Sequence, residues 1–241
     1  MPDWSGIRAA NICQRNARVV VRFSAPSGGG RDRAATWSGW GRRCRIPRAV
    51  SFAPKLAESI SAATRLPLLA VPLFIAVGFG AAGTVGLLWA LLCVSLTSGL
   101  SLLYLVYLTR SGAVRDPRSI PRAERVGPLR VVAALHAGAF LVVYGLGGPA
   151  QLTAALLSYA IATLLFALLT PLINLSLHAA GVAGTAVCLA SVFGPWGAPA
   201  FGLLPAVFWA RLRLGRHTVP ELVIGALIGG GGTWLAFGLL A

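Results

Sequence analysis

Residues 66–109 read LPLLAVPLFIAVGFGAAGTVGLLWALLCVSLTSGLSLLYLVYLT, and no side chain in that stretch carries a formal charge. An ionised side chain at mid-bilayer costs about 2.5 kcal/mol or more, so the exclusion of charge over such a length marks membrane-embedded chain. Two further blocks obey the same rule. Residues 131–210 contain no Asp, Glu, Lys or Arg, and nothing after Glu221 is charged. The whole chain agrees, with 56% hydrophobic residues, 11% charged residues and a mean hydropathy of +0.77, far from the soluble average. This is the composition of an integral, multi-pass membrane protein.

A helix needs about 20 apolar residues to cross the hydrocarbon core. Gly/Pro punctuation at Gly83, at Gly147-Gly148-Pro149 and at Gly194-Pro195 divides the blocks into seven expected spans. They fall at roughly 66–82, 85–108, 129–147, 151–171, 176–193, 196–210 and 219–240. The first and sixth are short enough to be re-entrant. The expected fold class is therefore all-α, a polytopic transmembrane helix bundle of about six to seven spans. The runs lack the two-residue alternation of membrane strands, which argues against a barrel. Abundant Gly and Ala suit close helix contacts.

Residues 1–62 differ. Ten of the 21 basic residues precede Lys55, alongside scattered Trp and Gly28-Gly29-Gly30, with no apolar periodicity. The segment reads as a disordered basic tail or as a translated stretch upstream of a start near Val50; a transit peptide or a basic arm leaning on anionic lipid are the other readings. It inflates the net charge of +15, so that total does not argue for nucleic acid as a partner. Cys13 and Cys44 lie in the tail and Cys93 and Cys188 within spans, a pattern without a disulfide framework or metal spacing. The membrane domain is expected over 63–241.

Topology gathers the remaining polar residues. With seven spans, the Arg-rich stretch 110–130, Ser176-Leu177-His178, and the run from Arg211 to Glu221 each follow an even number of crossings from one another. All three then share one side of the membrane, as one composite site requires. The opposite connections contain no ionisable residue. The positive-inside rule places the site, with Lys55 and Arg65, on the cytoplasmic face.

Leu175-Ser176-Leu177-His178 and Ala210-Arg211-x5-His217-x3-Glu221 resemble the second and third signature motifs of the type 2 phosphatidic acid phosphatase (PAP2) superfamily, which read Pro-Ser-Gly-His and Ser-Arg-x5-His-x3-Asp. Ser176, His178, Arg211 and His217 match; Glu221 stands where the family has Asp. The first family motif, Lys-x6-Arg-Pro, has no full match. Arg115-x6-Arg122 and Arg118-x6-Arg125 keep its spacing, with Arg for Lys and with Ala123 and Val126 in place of Pro. The resemblance covers about 110–240.

The resemblance implies a phosphatase acting on a lipid-linked phosphate or diphosphate, of polyprenyl or glycerolipid type, through a phosphohistidine on His217. A neutral imidazole can attack phosphorus, and Glu221, four residues on and on the same helix face, would orient it. His178 would protonate the leaving oxygen. Arg118, Arg122, Arg125 and Arg211 would hold phosphoryl oxygens, with Ser176 and the adjoining helix start. The mechanism implied uses no metal and no cofactor: beyond the tail only Asp116, Glu124 and Glu221 are acidic, too few for paired-Asp magnesium chemistry. The substrate would arrive laterally from the lipid.

Each residue also has a plainer assignment. Thr218-Val219-Pro220-Glu221 is a capping box, so Glu221 can close a helix end. Ser176 can be an N-cap, as can Asn174. Arg213 and Arg216 read as snorkelling anchors and His136 as structural. The competing class is a non-catalytic membrane protein or transporter subunit whose arginines bind anionic lipid. Oligomeric state is not legible.

Overall fold

A computed structural model describes residues 52–114, 120 and 122–241, without the side chains of residues 52, 53, 122 and 123. Among the described residues every regular element is helical. They are α1 (Phe52–Ala63), α2 (Leu66–Val94), a π-helical turn (Ser95–Gly99), α3 (Leu100–Arg110), α4 (Arg122–Gly145), α5 (Ala150–Leu169), α6 (Leu177–Phe193), two 3-10 turns (Gly194–Trp196 and Ala198–Gly202), α7 (Leu203–Arg213) and α8 (Val219–Leu240).

Among the described residues, five segments are long and apolar enough to cross a membrane: Leu66–Arg110, Glu124–Gly145, Ala150–Leu169, Leu177–Trp196 and Val219–Leu240. Their outer faces carry exposed Leu88, Leu91, Leu103, Leu227 and Trp234. Water would penalise so broad an apolar surface, whereas lipid chains accept it.

The first of the five is bent back on itself. Ala82 and Gly83 leave helical geometry, Gly83 at φ 56° and ψ −135°, a left-handed conformation that glycine adopts at little cost. A methyl group added to Gly86 would strike the Gly78 carbonyl, and one added to Gly78 would strike Gly86. Residues eight apart in a continuous helix are about 12 Å distant, so this contact requires the chain to reverse. The turn expected at Gly83 is present, and two glycines let its arms touch backbone to backbone.

The expected sixth span, 196–210, is not a long helix, so the six to seven spans expected do not appear as that many separate long helices. Gly197, Pro199, Gly202 and Pro205 break it into 3-10 turns and the 11-residue α7. An α-helix of that length covers about 16 Å, short of the roughly 30 Å hydrocarbon core. Residues 52–62, expected in the tail, instead form most of α1, which packs against α7. The rest of that tail lies outside the described residues.

Two clusters form the core. Phe74, Val77, Cys93, Val143, Leu152, Leu156 and Cys188 fill the larger one, and Leu129, Phe166, Leu175 and Ala180 the smaller. His136 is buried edge-on against Tyr159, with ring centroids 5.5 Å apart, in keeping with a structural role. Helices α6 and α8 cross closely because α8 presents glycines: a side chain on Gly225 would strike the Ser176 backbone, and one on Gly229 the Ala180 backbone. This crossing sets the start of α6 beside the start of α8. The turns at Gly83, Gly147–Pro149 and Gly194 gather at the other end, where Gly80 meets Phe193 and Gly148 meets Trp89.

Candidate active site

The spacing Arg211-x5-His217-x3-Glu221 is a helix end, a turn and a helix start in succession. Arg211 sits in the last turn of α7. Gly215, at φ 62°, reverses the chain, and the Arg216 N–H donates to the Arg211 carbonyl. Thr218 caps α8, which places His217 just outside the helix and Glu221 in its first turn. The Glu221 carboxylate accepts from Thr218 N–H at 3.0 Å and from His217 Nδ1 at 3.1 Å on the same oxygen, Oε2. Capping and histidine orientation therefore coexist, and Glu in place of Asp still reaches the ring. Because a carboxylate only accepts, Nδ1 carries the proton in this bond and Nε2 keeps its lone pair.

Asn174, in the loop between α5 and α6, ties this pair to an arginine. Its Nδ2 lies 3.4 Å from His217 Nδ1 and donates to Glu221 Oε2 at 3.5 Å, while its Oδ1 accepts from Arg125 Nη1 at 3.4 Å. Arg125 is fixed at its other edge by Nε donating to the Ile120 carbonyl at 2.9 Å.

His178 and Arg211 meet through Ser61 of α1. Arg211 Nη1 donates to Ser61 Oγ at 2.9 Å, and His178 Nε2 donates to the Ser61 carbonyl at 3.1 Å. The carbonyl can only accept, so His178 carries its proton on Nε2 and has a free Nδ1. Ser176 is fully buried, and its hydroxyl oxygen accepts from Ala179 N–H at 3.4 Å as the N-cap of α6. That hydroxyl is occupied beneath Gly225, as the capping assignment expects.

The electrostatics favour an anion. The Arg211 residue is only 6% exposed and the His217 side chain 4%. Burial pushes the His217 imidazole below its ordinary value of 6.5, the Arg211 charge pushes it further down, and Glu221 opposes both. It is therefore neutral at pH 7. Burial, with Arg216 and Arg125 nearby, brings Arg211 down to about 10, which leaves it charged at pH 7. One carboxylate thus faces several guanidinium groups. Among the described residues no three His, Cys, Asp or Glu side chains are grouped as a metal would need.

Of the residues expected from sequence, the structure brings His217, Glu221 and Arg125 into one hydrogen-bonded group through Asn174, and joins His178 to Arg211 through Ser61. Arg122 begins α4, but its side chain is not described, and Arg118 lies outside the described residues. Arg213 and Arg216 are exposed. Ser61 was missed because its contacts reach across 117 and 150 residues of sequence. The one signal for Asn174 was its position two residues ahead of Ser176. Comparison of the chain with protein-family models, curated proteins and solved structures gives no match.

Proposed function

We propose that this protein is a membrane phosphatase that hydrolyses a lipid-linked phosphate or diphosphate through a phosphohistidine on His217. The observation that carries this reading is the buried, neutral His217, held at Nδ1 by Glu221, with no partner at Nε2 among the described residues and with the Arg211 charge beside it. The Nε2 lone pair attacks phosphorus, and the bond from phosphorus to the leaving oxygen breaks. The negative charge of the bound phosphoryl group first brings a second proton from solvent onto His178, at Nδ1; the imidazolium then releases Ser61 and gives its Nε2 proton to the leaving oxygen, ending neutral. Water then attacks the phosphorus of phosphohistidine, gives its proton to His178, and the P–N bond breaks to release phosphate and restore His217. Arg211 and Arg125, with Arg122 and Arg118 from the preceding stretch, hold the non-bridging oxygens as charge builds on them. Ser176 supports the site as the cap that fixes the start of α6.

The apolar exterior supports delivery of the substrate from the bilayer, its head at the arginines. The basic residues Lys55, Arg65, Arg110 and Arg211 to Arg216 favour the cytoplasmic side for this end. Purified protein is assayed for phosphate release from phosphatidate, phosphatidylglycerol phosphate and polyprenyl diphosphate, with and without chelator. His217→Ala is expected to lose about a thousandfold or more while still inserting and binding lipid. Equal turnover by the mutant would remove the catalytic assignment.

One observation favours a second reading, a non-catalytic protein whose cations bind anionic lipid. His178 and Arg211 bond the last turn of α1, where a helix C-terminus attracts cations for purely structural reasons. That reading expects lipid binding with no phosphate release from any substrate in the panel.

A further inference from the structure

Ser61 satisfies two candidate catalytic groups at once. Its hydroxyl oxygen accepts from Arg211 and its carbonyl oxygen from His178, at 2.9 and 3.1 Å. Both Ser61 and Arg211 are 6% exposed, so the guanidinium is closed to a ligand while this contact holds, and the His178 Nε2 proton is taken up by the Ser61 carbonyl. The Ser61 carbonyl is free to accept because the helix is ending there: the Arg65 N–H bonds the Ala62 carbonyl instead. One residue thus presents two oxygens to a guanidinium and an imidazole. A phosphoryl group presents oxygens to the same donors and adds the negative charge that serine lacks.

We propose that the last turn of α1 is a displaceable plug, in which the two Ser61 oxygens stand where two phosphoryl oxygens bind, and that an anionic lipid headgroup reaches Arg211 and His178 by lifting this turn away. The proposal rests on the phosphatase reading for the identity of the ligand. Three further observations carry it. Helix α1 has 12 residues, packs on α7, and joins α2 through Thr64 and Arg65, where the helix is interrupted and Arg65 is extended at φ −68° and ψ 137°. Rotation at that joint moves α1 without disturbing the long helices. Next, α1 is two-faced: Ala57, Ser61 and Thr64 are buried, while Lys55, Leu56, Glu58 and Ser59 are exposed. Leu56, Ala57 and Ile60 form an apolar stripe beside the charged Lys55 and Glu58, and such a helix can rest at a bilayer surface once released. Lastly, Arg211 Nε is buried without a hydrogen-bond partner among the described residues. Ser61 leaves that donor unsatisfied, a state that costs free energy, and a further phosphoryl oxygen would relieve it.

A helix cap and a plug make opposite predictions. If His178 and Arg211 merely hold α1, loosening the contact weakens the site; if Ser61 competes with substrate, loosening it strengthens binding. The full chain carrying Ser61→Cys, with Cys13→Ser and Cys44→Ser and with His217→Ala to prevent turnover, is labelled with maleimide in detergent; Cys93 and Cys188 are buried. Dioctanoyl phosphatidate is expected to speed labelling of the introduced thiol about tenfold, and neutral dioctanoylglycerol to leave it unchanged. Inorganic phosphate added alone tells whether the headgroup suffices. A labelling rate that phosphatidate leaves unchanged or slows overturns the plug. In the otherwise unaltered chain, Ser61→Ala is expected to lower KM for dioctanoyl phosphatidate about tenfold, the worth of one hydrogen bond to a charged group, with kcat within about twofold. A raised or unchanged KM overturns the plug as well. If His217→Ala keeps its phosphate release, the phosphatase reading falls, yet the labelling result still decides whether α1 yields to an anionic lipid.

Discussion

At one end of the bundle the chain turns at Gly83, at Gly147–Pro149 and at Gly194, and none of these turns holds an ionisable side chain. At the other end Arg125, His178, Arg211, His217 and Glu221 are gathered within two hydrogen-bonded groups. The same long helices join both ends, so helix packing alone does not explain the contrast. Buried charge is costly and is kept where it has work to do. The apolar end shows what this chain builds when only packing is required; the polar end departs from that in a few residues, and those residues make up the candidate site.

The sharpest test sets one mutation in the site against one in the core. His217→Ala is expected to cost about a thousandfold in turnover, or about 4 kcal/mol in barrier height, and to leave thermal unfolding almost unmoved. Phe74→Ala, at a fully buried position, is expected to cost about 3 kcal/mol of stability while KM stays constant. If unfolding measurements show the two effects reversed, the polar end is structural.

Glu221→Gln tests orientation more gently. The amide keeps a capping acceptor for Thr218 N–H but loses the charge that opposes the depression of the His217 pKa. A drop in kcat of about ten- to a hundredfold is expected, with KM little changed.

The pH profile should fall on its acid side, because the attacking imidazole must be neutral. Burial and Arg211 hold His217 below 6.5, so this acid limb is expected to have its midpoint below that pH, activity being lost as pH falls through it. A midpoint at or above 6.5 would contradict the buried, cation-flanked environment of the ring.

The smallest effect comes from two glycines that share a positive φ. Gly147 at φ 71° turns the apolar end and Gly215 at φ 62° the polar end, and each has open space where a methyl would go. Alanine at either is expected to cost about 1 kcal/mol of stability from left-handed strain. Only Gly215→Ala should also lower kcat, because that turn sets His217 relative to Arg211.

Much of this architecture is legible in the sequence because it is local. Charge-free blocks mark the apolar helices, glycine with proline marks the turns, and Arg211, His217 and Glu221 lie within a single helix-turn-helix junction. Capping and ring orientation by Glu221 both follow from its place in the first turn of α8. What escapes is either distant or composite. Ser61 stands in a stretch that reads as tail, and its two partners are brought to it by the folding of the whole bundle. Asn174 carries no charge and no periodic signal, so its link to Arg125, His217 and Glu221 emerges only when the α5–α6 loop meets the starts of α4 and α8. The segment 196–210 misleads because it carries no charge, while its glycines and prolines favour 3-10 turns over a long helix.

The tight Gly78–Gly86 contact has a consequence for how the chain is made. Two arms that touch backbone to backbone leave no room for lipid between them, so they are best suited to enter the membrane as a pair, led by the uncharged bend at Gly83. The bends at Gly147 and Gly194 are equally free of charge, and Trp196 projects from the last of them at 90% exposure, well placed to settle among headgroups. Biosynthesis can thus push each of these hairpins through the bilayer tip first without dragging an ion across it.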